Sequence, residues 1–103
     1  MSDIKILLCC GAGMSSGFLA QKARQAAKKK GIVATIDARA ESEVNDYLRS
    51  IDVLMVGPHY AIRLNDFKQM AEPFNVPVVL IPQSIYAGLD GNALLELALE
   101  SKK

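Results

Sequence analysis

Near the start of the chain an apolar run, Ile6-Leu7-Leu8, gives way to Gly11, Ala12 and Gly13 and then to helical spacing from Met14 onward. A buried strand that feeds a helix through a short small-residue bend belongs to a β-loop-α unit, the building block of parallel sheets. The bend has consequences beyond the fold. Small residues let successive backbone N–H groups point into one concavity, and the helix adds its unpaired first-turn N–H groups and the positive end of its dipole. Together these make an anion cradle. Cys10 stands at its mouth, where the same field favours a thiolate. The arrangement points to a cysteine that carries a phosphoryl group.

The rest of the chain repeats the alternation. The spacing predicts a first strand over residues 4–9 and a helix that Ser15 or Ser16 caps and that runs to Lys30, with Phe18, Leu19, Ala23, Ala26 and Ala27 on one face. Lys28, Lys29 and Lys30 complement the negative helix end and Gly31 stops it. A second strand is expected over 32–37 and a short helix over 42–50, striped by Val44, Leu48 and Ile51. Val53-Leu54-Met55-Val56 is apolar throughout, as a strand covered on both faces must be. It breaks at Gly57-Pro58-His59. A helical segment over 60–74 follows, with Asn65 as a cap and Phe67, Met70, Ala71 and Phe74 as its stripe. A fourth strand over 76–81 carries Pro77 at its start, which suits a sheet edge. A loop over 83–90 then leads to a last helix over 92–101.

Strands alternating with helices imply an α/β fold: one four-stranded parallel sheet, order 2-1-3-4, with helices on both faces. Winding reverses between the first and third strands, and ligands bind at such a point, beyond the carboxyl ends of the strands. The loop that begins at Cys10 and the Gly57-Pro58-His59 turn are expected to meet there. At 103 residues the chain has room for one core, so residues 1–103 are read as a single domain.

Composition excludes several classes. Twelve Lys and Arg against 11 Asp and Glu leave no charge bias toward nucleic acid, and three Tyr, three Phe and no Trp offer no stacking platform. No apolar run approaches the ~20 residues of a membrane span, so the chain is not expected to be membrane-inserted. The N-terminus lacks the pattern of a signal peptide, and two adjacent cysteines are no disulfide framework; a cytoplasmic setting is expected.

Other chemistry fits the loop less well. A nucleotide P-loop needs a lysine after its glycines, and none follows here. A dinucleotide fingerprint would match Gly11 and Gly13 but meets Ser16 at its third glycine; with Asp37 placed for a ribose contact, a nucleotide-binding module stays an alternative. Cys9, Cys10 and His59 are the only soft ligands, and neighbouring residues leaving a strand point opposite ways, so neither metal nor cofactor is expected. A cysteine phosphatase of the form C-x5-R needs an arginine where Ser16 stands when counting from Cys10, or Ser15 when counting from Cys9. A phosphatase-like hydrolase is the nearer of the two alternatives. Cys9 itself reads as a buried strand residue.

The motif Cys10-Gly11-Ala12-Gly13-Met14-Ser15-Ser16 after a first strand, Gly57-Pro58 after the third and the 86–91 loop resemble the IIB component of the lactose/cellobiose-type sugar phosphotransferase system. The likeness covers essentially the whole chain. It implies a four-stranded parallel α/β fold like that of the low-molecular-weight cysteine phosphatases. It also implies a phosphocysteine at Cys10, charged by a histidine of a IIA component and discharged to a sugar on a membrane IIC component. That sugar would be a β-linked disaccharide such as cellobiose, chitobiose or lactose, and the chain would lie peripheral to the membrane through IIC. Gly11, Ala12, Gly13, Met14, Ser15, Ser16 and Gly17 would bind the phosphate, with His59, Tyr86 and Asp90 around them. The sequence departs from the family pattern at Cys9 and at Gly11 and Gly17, where serine is expected.

The missing arginine is testable. Without that clamp on the transferring oxygens, hydrolysis of p-nitrophenyl phosphate is expected to run about a hundredfold or more below that of a C-x5-R enzyme. Efficient turnover that disappears in Cys10→Ser would move the chain into the hydrolase class.

Overall fold

A computed structural model, describing residues 4–9 and 14–101, places β1 (Ile4–Cys9) inside a four-stranded sheet of order β2-β1-β3-β4. The other strands are β2 (Ala34–Arg39), β3 (Val53–Val56) and β4 (Val78–Leu80), and every pairing is parallel. The expected topology is therefore the observed one. β1 pairs Ile6 with Ile36 on one side and with Val53 on the other, so its backbone is bonded along both edges.

Side chains alternate across the sheet and build two cores. Ile6 and Leu8 of β1, with Val53 and Met55 of β3, pack under α1 (Met14–Lys30) and α5 (Gly91–Ser101). Leu7 and Cys9, with Leu54 and Val56, pack under α2 (Val44–Tyr47) and α3 (Leu64–Ala71). This is why β3 reads as an unbroken apolar run. Each fully buried Leu, Ile or Phe contributes about 1.5–3 kcal/mol over leaving it in water.

The helices differ from expectation in instructive ways. α1 opens one residue early, so Ser15 and Ser16 lie in its first turn and not at a cap position. Its packed stripe is Leu19, Ala20, Ala23 and Ala27, while Phe18, about 100° round the helix from Leu19, stays 55% exposed. α1 ends in the expected glycine stop. Gly31 takes φ +71°, its N–H reaches the Lys28 carbonyl at 3.2 Å, and the Ile32 N–H reaches that of Ala27 at 2.9 Å. That wrap consumes residues 31–33 and delays β2 to Ala34. The helix expected over 42–50 becomes a 3₁₀ turn, Glu41–Glu43, and the single turn of α2.

The segment expected over 60–74 divides into a 3₁₀ turn, Pro58–Arg63, then α3, then a second 3₁₀ turn, Glu72–Phe74. Because the chain enters α3 already wound, the first N–H of the helix, that of Leu64, finds the Ala61 carbonyl. No side chain caps α3, and Asn65 lies within it. Phe67 and Ala71 are buried as predicted, but Phe74 stays 37% exposed. β4 is shorter than predicted, yet its bonding extends beyond it: Leu54 N–H donates to the Pro77 carbonyl and Ile81 N–H to that of Val56. It lies at the sheet edge, where Pro77 is tolerated.

The predicted 83–90 loop is a short helix, α4 (Gln83–Gly88). The Pro82 carbonyl accepts from the N–H groups of Ile85 and Tyr86, and Leu89 closes the turn in the left-handed region at φ 51°. So short a helix leaves almost no periodicity to read.

α5 starts at Gly91, and the reason lies in α1. A Cβ on Gly91 would stand 2.2 Å from the Lys22 carbonyl carbon and 2.4 Å from the Ala23 nitrogen. Only a residue without a side chain lets the two helices approach so closely. Gly17, inside α1, has open space around it. Gly91→Ala is therefore expected to destabilise the fold by about 1–3 kcal/mol or more. Gly17→Ala should instead stabilise it by about 0.5–1 kcal/mol through helix propensity. Urea midpoints of the two variants check this, and equal shifts in one direction would refute the close-approach account.

Candidate functional site

The carboxyl ends of the strands form one rim. Cys9 stands level with Arg39 of β2 and with Val56 of β3, and Val56 with Leu80 of β4. The Gly57 N–H donates to the Cys9 carbonyl at 3.0 Å, so the turn after β3 is fastened to the last residue of β1. The turn after β3 thus reaches the expected reversal of winding. Cys9 is fully buried in the core beneath α2 and α3, in keeping with a structural role.

Cys10, Gly11, Ala12 and Gly13 lie outside the described residues, as do the side chains of Met14, Ser15 and Ser16. Between the end of β1 and the start of α1 the chain has only these four residues in which to turn. The first turn of α1 follows directly, and Gly17 is exposed within it.

His59 sits exposed in the 3₁₀ turn after β3. Its ring lies 4.7 Å from that of Tyr60, tilted 37°, and 5.9 Å from that of Tyr86, edge-on at 61°. Tyr60 in turn meets buried Phe67 edge-on at 5.5 Å. Thus the structure brings two expected residues, His59 and Tyr86, together from the connections after β3 and β4. It ties them to the core through Tyr60, which sequence reasoning had treated only as the start of a helix.

Asp90 is placed differently. Its Oδ1 accepts the Ala93 N–H at 3.1 Å and its carbonyl accepts that of Leu94 at 3.0 Å, so it caps α5. It borders a groove with Lys22, Gln25 and Lys30, along the later turns of α1. Asp37, the residue suited to a ribose contact, faces Arg24 at 3.6 Å.

Two arginines near this rim escaped the sequence reading, and both are engaged. Arg39 Nε donates to the Tyr47 hydroxyl at 2.7 Å, and Glu43 lies 3.9 Å away. The Tyr47 hydrogen bond, with smaller help from nearby Asp37 and Glu43, moves the guanidinium above its already high ordinary pKa. Arg63 pairs with Glu41 and, at 3.7 Å, with Asp66, while its guanidinium lies 5.7 Å from the Phe67 ring centre. The Glu41–Arg63 pair joins the connection after β2 to that after β3. The i,i+4 spacing of Arg39 and Glu43 and the i,i+3 spacing of Arg63 and Asp66 are the traces of this network in the sequence.

Residues 5–97 match the family described as the lactose/cellobiose-specific IIB subunit of the phosphotransferase system, PTS. The chain is 30% identical to the oligo-beta-mannoside-specific EIIB component of Bacillus subtilis, over 92% of each chain. It resembles the solution structure of the cellobiose-specific IIB component from Borrelia burgdorferi, with a TM-score of 0.81 and 32% identity over 98% of this chain and 93% of that one. It also matches the lactose-specific EIICB component of Lacticaseibacillus casei, at 22% identity over 93% of this chain but only 17% of that protein. Among the described residues no helix is long and apolar enough to cross a membrane.

The capping geometry of Asp90 predicts a separable effect. Asp90→Ala should cost about 0.5–2 kcal/mol of stability, and Asp90→Asn, which caps equally well, only a few tenths. Thermal unfolding of the two variants checks it; equal losses would show that the charge matters and not the cap.

Proposed function

Because the chain belongs to the lactose/cellobiose-specific IIB family of the sugar phosphotransferase system, we propose that it is a phosphoryl carrier whose acceptor is the Cys10 thiolate. The observation that carries this reading is the fixed carboxyl end of β1. Cys9 is buried and its carbonyl is bonded to Gly57, so β1 ends in a fixed position at the reversal of winding, and in the sequence Cys10 follows it directly, ahead of α1.

In the forward step the sulfur of Cys10 attacks the phosphorus of a phosphohistidine on a IIA partner. The S–P bond forms as the N–P bond breaks, and the imidazole nitrogen leaves with the electron pair. In the second step a sugar hydroxyl on a membrane IIC partner attacks the same phosphorus. The O–P bond forms, the sulfur leaves as thiolate, and the hydroxyl proton passes to a base or to water. The backbone N–H groups of residues 11–17, with the α1 dipole behind them, hold the phosphoryl oxygens between steps. Neither step needs a metal or cofactor from this chain. With the thiolate already formed no general base is required for the first step, so His59, braced by Tyr60 and Tyr86, assists without being essential.

The engaged state of Arg39 and Arg63 supports a carrier over a hydrolase. Each guanidinium is already bonded to carboxylate or phenol groups, which disfavours its use as a clamp that would activate the thiophosphate toward water. The sugar is proposed to be a β-linked disaccharide. The relatives' names differ on this point, oligo-beta-mannoside, cellobiose and lactose, which agrees with selection by the membrane partner. The chain would then work in the cytoplasm, at the membrane only through IIC; the fused EIICB relative supports that pairing.

The test is transfer of label from radioactive phosphoenolpyruvate through the general carriers and a IIA protein. Cys10→Ser is expected to lose all thiol-linked label and Cys9→Ser to keep most of it. Label retained in the first variant and lost in the second would reverse the assignment of the acceptor.

A further inference from the structure

His59 is held from both faces of the sheet. Its ring meets Tyr60 at 4.7 Å, tilted 37°, and Tyr86 at 5.9 Å, edge-on at 61°. Tyr60 packs into the core beneath α2 and α3, against Phe67, whereas Tyr86 packs into the core beneath α1 and α5. Those cores lie on opposite sides of the sheet, and the three rings reach from one to the other through the connections that follow β3 and β4. The backbone beneath the rings is fixed as well. The Tyr60 N–H donates to the Gly57 carbonyl at 3.0 Å, and the Tyr86 N–H to that of Pro82 at 3.0 Å. Gly57 is itself fastened to Cys9, so His59 stands two residues from the bond that ends β1. The result is an exposed ring whose plane is set by contacts rooted in both cores.

An exposed imidazole offers two things, nitrogens that exchange a proton and a flat aromatic face. Charging makes no use of the first, because the thiolate is already formed. The second matches the chemistry of that step. The group that leaves phosphorus is itself an imidazole, joined to it directly through nitrogen, and in-line transfer requires that ring to be held in one orientation. We propose that the His59 ring is the contact surface for the imidazole of the phosphohistidine donor, with Tyr60 and Tyr86 as the positioning residues that hold its plane. This deepens the carrier reading above and rests on it. As the Cys10 S–P bond forms, the donor N–P bond breaks and the nitrogen leaves with the electron pair; His59 exchanges no bond and no proton. Discharge makes no such demand, because the attacking hydroxyl sits on a saturated carbon and brings no aromatic ring. The effect of His59 is therefore confined to charging.

The experiment compares single-turnover charging of the full-length chain by a phosphohistidine IIA protein of the lactose/cellobiose type with discharge to IIC-bearing membrane vesicles. His59→Phe, which keeps a ring and loses both nitrogens, is expected to charge as wild type. His59→Gln, which keeps hydrogen-bonding groups and loses the ring, should charge about two- to tenfold more slowly, the range of one aromatic contact, with discharge unchanged. Tyr86→Leu should slow charging in the wild-type background and add nothing to His59→Gln, as for a residue that acts through His59. Both His59 variants should keep the wild-type circular dichroism, since the ring lies at the surface. Equal charging by wild type and folded His59→Gln overturns the proposal. So does a His59→Phe as slow as His59→Gln, which assigns the role to a ring nitrogen. Slowed discharge with normal charging also overturns it, by making the sugar the occupant. Each of these leaves the carrier reading standing; a wild-type chain that takes up no phosphoryl removes both.

Discussion

The hydrogen bond from the Gly57 N–H to the Cys9 carbonyl is the point from which the rest of the rim is set. β1 is bonded on both edges and covered on both faces, so its last residue has no freedom of position. Fastening the turn after β3 to that residue fixes the carboxyl end of β1 against the start of that turn. It also fixes where Pro58 starts the 3₁₀ turn that carries His59 and Tyr60. A few ångströms of slack at Cys9 would be inherited by every group on that side of the sheet.

The rim that results contains charge yet commits it inward. Arg39 ends β2 and Arg63 ends the 3₁₀ turn after β3, and each is bonded to partners on its own chain. Exposed ion pairs of this kind contribute at most about 1 kcal/mol each. Their larger effect is positional: the Glu41–Arg63 pair links two connections that the sheet itself does not join. The aromatic contacts of His59 do the same between the connections after β3 and β4. For the proposed carrier, which would hold a thiophosphate against water, cations occupied elsewhere are an advantage.

The opposite side of the sheet is organised by contact between backbones. Gly91 brings α5 onto α1 at a distance no side chain permits, and Asp90, one residue earlier, caps α5 at the same crossing. α1 therefore meets α5 along its later turns while its first turn follows the loop from β1. Stability and the proposed chemistry thus draw on different parts of one helix. Asp90 serves the first of these through its cap on α5.

Strand existence, order and direction were legible in the sequence because runs such as Val53-Leu54-Met55-Val56 are apolar at every position, and only a sheet covered on both faces asks for that. The glycine stop after Lys30 was legible for a similar reason: it is a local demand of the backbone, met by the residue at hand. What the sequence left undecided depends on neighbours distant along the chain. The Gly91 approach, the Glu41–Arg63 pair, the pairing of His59 with Tyr86 and the helix over 83–88 each join segments tens of residues apart or span too few residues to show a period. Periodicity reports which face of a segment is buried; it carries no information on what lies against that face. Only the packed tertiary structure supplies the second half.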